Sequence, residues 1–404
     1  MATGTTAAQG ITFLATPFLT RLYGPKDYGL YATFVVASNL LTMVGPGRYE
    51  NALFVTRDER DLKRLFALAL WLSGLTGFVA SMASAAFWTT GVTFNGRAFN
   101  HTSWMLLGPT VALAAWFQVI STWNTHQRSF RSVTSARVLR SLISSAVQLG
   151  AGAVGLINGG LIAGLFAGQL AATTMLAWSV VPAMKDAGSL ATWADLKRVA
   201  LEHKSFPLYG LPSEVLALIS MQSPIVIFDR VMSGLFSFSQ SVINTPLGFV
   251  GTSVLEVFRE RGASEYRERG EFRRTAVRMT QVLALAGVPL FSILAFFGPE
   301  LFALAFGEPW REAGHVARIM APLYFFKTLS HPLSQAYIIV GRQAESFALQ
   351  AYLGISTLAV LVYGKTVLDT PTQMLVFYAG NCTLVHVIFI VRSLQFSMGL
   401  AKAR

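Results

Sequence analysis

The feature that most constrains this chain is a series of twelve apolar segments, each about as long as a membrane is thick. A bilayer core of about 30 Å is crossed by about 20 helical residues. Charged residues make up only 13% of the 404 residues, whereas a soluble domain carries about 25%. We therefore predict an all-α, multi-pass membrane protein with spans near 3–20, 28–46, 65–88, 103–123, 138–156, 161–181, 211–228, 234–257, 280–297, 316–340, 347–363 and 374–391.

The distribution of lysine and arginine predicts which side of the membrane each loop occupies. An even number of spans puts both termini on one side. If that side is the cytoplasm, the cytoplasmic segments hold 24 Lys and Arg residues, the opposite loops hold seven, and Lys327 lies within a span. Because cytoplasmic loops are enriched in Lys and Arg, both termini are predicted to be cytoplasmic. The same rule accounts for the net charge of +12 without a nucleic-acid partner.

The longest internal polar stretch divides the predicted helices six and six. This division predicts an N-terminal lobe at 1–183, a cytoplasmic linker at 184–206 and a C-terminal lobe at 207–404, with the two lobes around a central cavity. Within the linker, Trp193 and Leu196 share one helical face. That pattern is typical of a helix lying on the inner leaflet, and a solvated linker fits it equally well.

A weak internal repeat supports the same division. Gly29 opens the second span and is followed ten residues later by Asn39, and Gly234 and Asn244 repeat this spacing at an offset of 205 residues. The offset is half the chain, so we interpret the two lobes as a parallel duplication.

Three polar side chains recur at a spacing of four in the tenth segment: Lys327, His331 and Gln335. This spacing places them on one helix face. Lys327 lies too deep for its stem to reach either interface, and a lysine facing lipid costs about 2.5–3.5 kcal/mol. It is therefore predicted either to line a cavity for an anionic substrate or to be held by a structural partner. Pro332 predicts a kink beside this stripe.

Other polar residues in and beside the spans complete the predicted cavity. Glu214 and Glu256 are candidates for ion coupling. Glu214 would equally suit a partner for a basic residue, or an acid at a helix N-terminus, where the dipole favours it. Arg48 is predicted either to bind phosphate at the inner mouth or simply to follow the positive-inside rule. Arg21 is predicted at the outer mouth. A cationic cavity suits an amphiphile with a diphosphate head, and it would also suit an anionic drug or metabolite. The remaining predicted cavity residues are Arg48, Arg137, Arg140, Gln222, Gln240 and Asn244.

Enzyme motifs are missing from the sequence. It contains no Walker loop, no GxSxG, no paired catalytic carboxylates and no spacing of His and Cys that would bind a metal. The single cysteine, Cys382, excludes an intrachain disulfide. We therefore predict a transporter that uses no cofactor and performs no covalent chemistry.

Several stretches resemble the polysaccharide flippase (Wzx-like) family, in the superfamily that also holds lipid II flippases and multidrug-and-toxin exporters. The pattern R-L-Y-x-P-x-D-Y-G occurs at 21–29, and G-x-x-W-x-x-A-G occurs at 307–314. The longer stretches that carry the resemblance are TPFLTRLYGPKDYGLYATF at 16–34, RYENALFV at 48–55, FPLYGLPSEVLALISMQSPIVI at 206–227, GLFSFSQSVINTPLGFVGTSVLEVF at 234–258 and 297–342.

This resemblance implies a function as well as a fold. It implies twelve or fourteen helices in two lobes and a cationic central cavity with alternating access. The implied substrate is an undecaprenyl-diphosphate-linked oligosaccharide, exported across the bacterial inner membrane for a surface polysaccharide such as the O-antigen of lipopolysaccharide. The implied partners are the bilayer, a polysaccharide polymerase and a chain-length regulator. The family's first helix is longer and begins with basic residues, so the resemblance implies a first helix that is clipped here.

Four alternatives stay open at this point. A multidrug-type exporter is disfavoured, because cationic drugs would need an acidic cavity. A lipid II-type flippase of the same superfamily fits the architecture. A membrane polymerase or ligase of the same pathway would need catalytic groups on a long outer loop, and the outer loop near 298–315 is short. A scaffold without transport activity would not explain the intramembrane Lys327.

Overall fold

The computed structural model describes residues 2–56, 58–90, 93–94, 97–98, 102–157, 159–181, 192–368 and 370–399. The fold is almost entirely helical. A short hairpin pairs Thr93–Phe94 (β1) with Arg97–Ala98 (β2). In chain order the helices are α1 Ala2–Leu22, α2 Pro25–Val44, α3 Tyr49–Ala52, α4 Glu59–Thr90, α5 Leu107–His126, α6 Phe130–Ala153, α7 Gly160–Trp178, α8 Trp193–Glu202, α9 Leu211–Ile227, α10 Arg230–Arg269, α11 Arg273–Phe306, α12 Arg311–Leu333, α13 Gln335–Ile339, α14 Gln343–Val367 and α15 Pro371–Ser397.

The predicted apolar segments lie on these helices. Eleven of the twelve each fall largely on one helix, and the segment at 316–340 is divided between α12 and α13. Six helical segments among the described residues are long and apolar enough to cross a membrane by length and composition: Glu59–Thr90, Thr102–His126, Gly160–Trp178, Arg273–Phe306, Gln343–Val367 and Pro371–Ser397. The protein is thus an all-α integral membrane protein.

The interruption after α12 has a local cause. Pro332 has no N–H to donate to the carbonyl of Thr328, so the helical ladder is weakened at this point. The helix ends at Leu333, and the chain resumes as the short α13. Lys327 and His331 therefore lie on α12, whereas Gln335 begins the next helix. The stripe predicted from the sequence, Lys327, His331 and Gln335 at a spacing of four, therefore crosses this break.

The described chain clusters into two compact units. The first comprises Met1–Leu218 with Asp229–Gly234, and the second comprises Ile219–Phe228 with Leu235–Arg404. The helix predicted in the linker is present as α8 and belongs to the first unit.

The core of the first unit forms where α4, α5, α7 and α8 meet. Phe66 and Trp123 stack at 4.5 Å between ring centroids. Leu65 and Val199 are fully buried in the same cluster. The Tyr23 hydroxyl donates a 2.7 Å hydrogen bond to the Gln148 carbonyl and so ties the turn after α1 to α6.

Charged side chains fix α8 to the first turns of α4. Arg64 binds Asp195 at 3.0 Å and Asp61 at 2.9 Å, and Arg198 also binds Asp61. The hydrogen bond from Arg198 holds the pKa of Asp61 below its ordinary value. Asp195 and Thr192 form a capping box at the start of α8, which satisfies backbone donors that would otherwise lack partners.

The first unit also contains a close helix crossing at the two repeated glycines. A Cβ on Gly29 would overlap the carbonyl oxygen of Arg230, and a Cβ on Gly234 would overlap the carbonyl oxygen of Pro25. The Arg230 guanidinium donates a 2.9 Å hydrogen bond to the Lys26 carbonyl. Gly29 thus contacts Arg230, four positions before Gly234, and Gly234 contacts Pro25, four positions before Gly29. This reciprocity is what a local two-fold axis produces, and it agrees with the sequence repeat.

The second unit is built around α10, α11, α12 and α15. Phe238 on α10 packs on Trp310 at 4.1 Å between ring centroids, and the Ser239 hydroxyl donates to the Ala313 carbonyl at 2.6 Å. A second cluster joins Tyr337, Phe389 and neighbouring apolar residues, all from this unit. These contacts hold α12 and α15 side by side, which positions the polar residues described next.

Candidate functional site

Lys327 lies within the second unit on an otherwise apolar stretch of α12. Its ammonium group is 5.3 Å from the centroid of the Tyr324 ring, a distance at which a cation is attracted to an aromatic face. Among the described residues, no carboxylate lies within ion-pair distance of Lys327. The titratable side chains that interact with it are two histidines, His331 and His386, and the thiol of Cys382. The ammonium is therefore stabilised by an aromatic ring but is not neutralised by an acid in the part of the unit that the structure describes.

Two histidines extend the basic character of this region. Lys327 is close enough to interact electrostatically with His331 on α12 and with His386 on α15. His386 Nδ1 lies 2.8 Å from the Ser330 hydroxyl, and Cys382 lies one turn earlier on α15, close to Lys327. The ammonium group supplies one positive charge and each neutral imidazole has one N–H donor, so the three groups together can bind an anionic group.

The amide side chains predicted on α10 lie at the same place. Gln240 and Asn244 both reach the hydroxyl of Tyr324, the ring that contacts Lys327. The structure therefore brings Gln240, Asn244, Lys327 and His331 into one cluster, with Tyr324 as the connecting residue. Gln335 lies one turn beyond His331 and is partly buried.

Gln222 on α9 also belongs to the second unit. Its side-chain oxygen is buried and has no hydrogen-bond partner among the described residues. An unpaired buried amide oxygen costs about 1–3 kcal/mol. The structure does not show Gln222 in contact with the Lys327 cluster.

The first unit contains a different arrangement around Arg48. Arg48 Nη1 lies 3.4 Å from Glu50 Oε1, and Arg48 also forms an ion pair with Glu214 at the start of α9. Gln118 on α5 donates a 2.9 Å hydrogen bond to Glu50 Oε1. Of the roles predicted for Glu214, which were ion coupling, a basic partner or a helix-terminal acid, the structure shows the pairing with a basic residue, Arg48. Arg48 is not free to bind an anion alone in this state.

The backbone around Arg48 supports this arrangement. Arg48 has φ +62° and Gly47 has φ +61°. A left-handed conformation is uncommon for a residue with a Cβ and costs about 1–3 kcal/mol where it is strained. The conformation at Arg48 directs the chain into α3, where Glu50 is only 1% exposed. Burial raises the pKa of Glu50, and the Arg48 charge and the Gln118 hydrogen bond partly oppose this rise.

Arg137 and Arg140 lie together on α6, close enough to repel each other. Tyr31 on α2 is the neighbour of Arg140, and Gln148 reaches the Tyr31 hydroxyl. Among the described residues, Arg140 has no carboxylate within ion-pair distance. Arg140 therefore keeps an unneutralised charge, as an anion-binding residue would. The structure does not bring these arginines into contact with Arg48.

Two predicted residues add little to these clusters. Arg21 is exposed in the last turn of α1, and the side chain of Glu256 lies outside the part of the chain that the structure describes. The structure instead adds Glu50, Tyr324 and His386, which the sequence reasoning did not select. The burial of Glu50, which accepts a hydrogen bond from the distant Gln118, has no signal in the local sequence.

Comparison with known proteins identifies the family. Residues 18–315 match the family described as "Polysaccharide biosynthesis protein". The chain is 21% identical over 367 residues to the succinoglycan biosynthesis transport protein ExoT of Rhizobium meliloti (strain 1021). This alignment covers 89% of this chain and 72% of that protein.

Solved structures show the same fold at low sequence identity. The lipid II flippase MurJ in an inward closed conformation matches with a TM-score of 0.73 and 10% identity, over 98% of this chain and 90% of MurJ. An inward-facing multidrug resistance transporter of the MATE family matches with a TM-score of 0.70 and 10% identity, over 100% of this chain and 96% of that transporter. The chain thus belongs to the polysaccharide biosynthesis protein family and has the fold of membrane transporters and flippases of the MATE and MurJ kind.

Proposed function

We propose that this protein flips an undecaprenyl-diphosphate-linked oligosaccharide across the bacterial inner membrane by alternating access. The observation that carries the proposal is Lys327, a cation deep within a predicted membrane span, with two histidines near it and no carboxylate within ion-pair distance among the described residues. A diphosphate head would supply the missing negative charge. The family match and the transport function in the name of the succinoglycan relative agree with it.

Charge separates this proposal from its alternatives. A cationic drug would be repelled by Lys327, so the second unit does not favour a multidrug exporter. Lipid II also carries a diphosphate, so a lipid II-type flippase shares the head-group chemistry. Family membership favours the polysaccharide pathway. Within that pathway, a polysaccharide polymerase and a chain-length regulator would receive the flipped substrate.

Purified protein in proteoliposomes should flip a fluorescent undecaprenyl-diphosphate oligosaccharide. The labelled lipid starts in both leaflets, and a membrane-impermeant quencher reports the outward-facing fraction with time. We expect exchange between leaflets only in vesicles that contain the protein. A matched lipid with a single apolar tail and no diphosphate should not exchange. Exchange of lipid II at an equal rate, or efflux of cationic dyes in its place, would contradict the proposed substrate.

The proposed orientation places both termini in the cytoplasm. Single cysteines can test it in a Cys382→Ser background, because Cys382 is the single native cysteine. Arg131→Cys and Arg267→Cys should be protected from a membrane-impermeant thiol reagent in intact cells, since the excess of Lys and Arg puts both loops inside. Glu308→Cys, at an exposed position, should react. The opposite pattern would reverse the topology.

A further inference from the structure

One guanidinium serves two carboxylates in the first unit. Arg48 contacts Glu50 and Glu214, and its own Nε is buried without a hydrogen-bond partner among the described residues. If both acids were ionised, the trio would carry one excess negative charge. Like charges that share one site favour a proton on one of them.

Glu50 and Glu214 differ in their exposure to water, and burial favours the protonated form of an acid. The Glu214 side chain is 44% exposed, whereas the Glu50 side chain is 1% exposed. Glu50 Oε1 accepts from Gln118, while Oε2 is buried and has no partner among the described residues. A buried oxygen without a hydrogen-bond partner is costly, and it is much more costly when it carries the charge of a carboxylate than when it is protonated. The proton of the trio is therefore expected on Glu50.

The groups that face the Glu50 carboxyl come from two elements. Arg48 lies on the loop between α2 and α3, and Gln118 lies on α5. Within the described residues these two side chains and the backbone N–H of Glu50 itself act on the carboxyl. Glu214 acts on Glu50 through Arg48. A change in the charge of Glu50 is thus transmitted to Arg48 first.

Glu214 lies on a helix whose residues are divided between the two units. It lies in the first turn of α9, and α9 contributes residues up to Leu218 to the first unit and residues from Ile219 to the second. A stronger or weaker Arg48–Glu214 pair therefore acts on a helix that belongs to both units.

We propose that Glu50 binds and releases a proton during transport, and that Arg48 passes this change to Glu214 at the start of α9. With Glu50 ionised, the two acids compete for Arg48. With Glu50 protonated, Arg48 is left to Glu214. The proton exchanges with solvent on the side of the α2–α3 loop. The link to transport rests on the proposed function, whereas the proton site itself does not.

The sign of the pH effect follows from the burial of Glu50. Its pKa in the folded protein is raised above the ordinary 4.5. The folded state therefore holds this proton more tightly than the unfolded chain does. The contribution of Glu50 to stability is fully present below pH 4.5 and is lost as pH rises through the raised pKa.

Glu50→Gln mimics the protonated acid with nearly the same shape and is the decisive variant. Glu59→Gln is the matched control, because Glu59 is an 80% exposed acid at the start of α4. The first readout is infrared difference spectroscopy of the purified protein during a pH titration. Ordinary acidic side chains lose their carboxylic-acid C=O band near pH 4.5. We expect one further C=O band that persists above this pH and disappears as pH rises more, present in the wild type and in Glu59→Gln and missing in Glu50→Gln.

The second readout is flipping in proteoliposomes as a function of pH. A one-proton step changes a pH-dependent rate by up to about tenfold per pH unit, and this dependence should be lost in Glu50→Gln alone. An unchanged infrared band in a folded Glu50→Gln protein would overturn the proton site. A missing band with an unchanged pH profile of flipping would overturn its role in transport. If no vesicles flip the substrate, the proposed function fails while the infrared result still decides the site.

Discussion

Replacing Lys327 with alanine should lower flipping of the lipid-linked oligosaccharide by about 10- to 100-fold. Hydrogen bonds to charged groups contribute about 1.5–3 kcal/mol, and about 1.4 kcal/mol is a factor of ten. Lys327 has no carboxylate partner in the described part of the chain, so the substrate would lose its main counter-charge at this cluster. Surface polysaccharide in cells and quencher accessibility in proteoliposomes both measure the loss.

Stability distinguishes a substrate-binding role for Lys327 from a structural one. Removing an unneutralised cation from within a predicted membrane span should leave the melting temperature unchanged or raise it, because the desolvation cost disappears. Lys327→Arg keeps the charge and should retain part of the activity. Lys365→Ala, at an exposed position in the last turn of α14, is the matched control and should flip normally. Normal flipping by Lys327→Ala, or its collapse into aggregates, would refute the binding role.

The position of Lys327 was predictable because depth in a membrane is a one-dimensional property. Hydropathy located the helices, and counting residues from their ends placed Lys327 far from both interfaces. The same reasoning could not find Tyr324 or His386 as neighbours of Lys327. Tyr324 looks like any other aromatic residue of an apolar segment. His386 lies on α15, and the sequence does not indicate that α15 packs against α12, where it contacts Ser330.

The Arg48 cluster shows a different limit of sequence reasoning. The sequence predicts that Arg48 either binds phosphate at the inner mouth or simply follows the positive-inside rule. It predicts that Glu214 couples an ion, pairs with a basic residue or lies at a helix N-terminus. The structure pairs the two residues with each other. Their separation along the chain does not indicate which basic residue Glu214 contacts. Glu50 is a buried acid whose contact with Gln118 joins residues 68 positions apart. Long-range contacts between loops and helix ends follow no periodicity.

The described cationic side chains are of two kinds: those that pair with an acidic side chain and those that do not. Arg64 and Arg198 have acidic partners and fix α8 to α4. Arg140 and Lys327 have none within ion-pair distance among the described residues. The second kind are the better candidates for anion binding, because an arginine that already holds a carboxylate must break that pair before it binds a phosphate. Among the predicted cavity residues, Arg140 and Lys327 are therefore better candidates for anion binding than Arg48, which holds two carboxylates.

Gly29→Ala and Gly234→Ala should each destabilise the protein by about 1–3 kcal/mol, the usual cost of an overpacked contact. Each new Cβ would overlap a backbone carbonyl oxygen, that of Arg230 or of Pro25, and a backbone atom cannot rotate away as a side chain can. The helices α2 and α10 must separate at their first turns. Thermal unfolding in detergent measures the effect, and flipping should fall as well, because the crossing joins the beginnings of two long helices.

The double variant tests whether the crossing is one reciprocal contact. If the first alanine separates the two helices, the second finds space already made, so the combined loss should be smaller than the sum of the single losses. Gly380→Ala is the control, since nothing lies within 4 Å of a Cβ at that helical glycine, and alanine there should stabilise α15 by up to about 1 kcal/mol. Strictly additive losses would mean that each glycine meets its neighbour independently. Neutral single variants would show that the first turns of α2 and α10 do not touch, and the local two-fold relation between the repeated segments would then lose its structural basis.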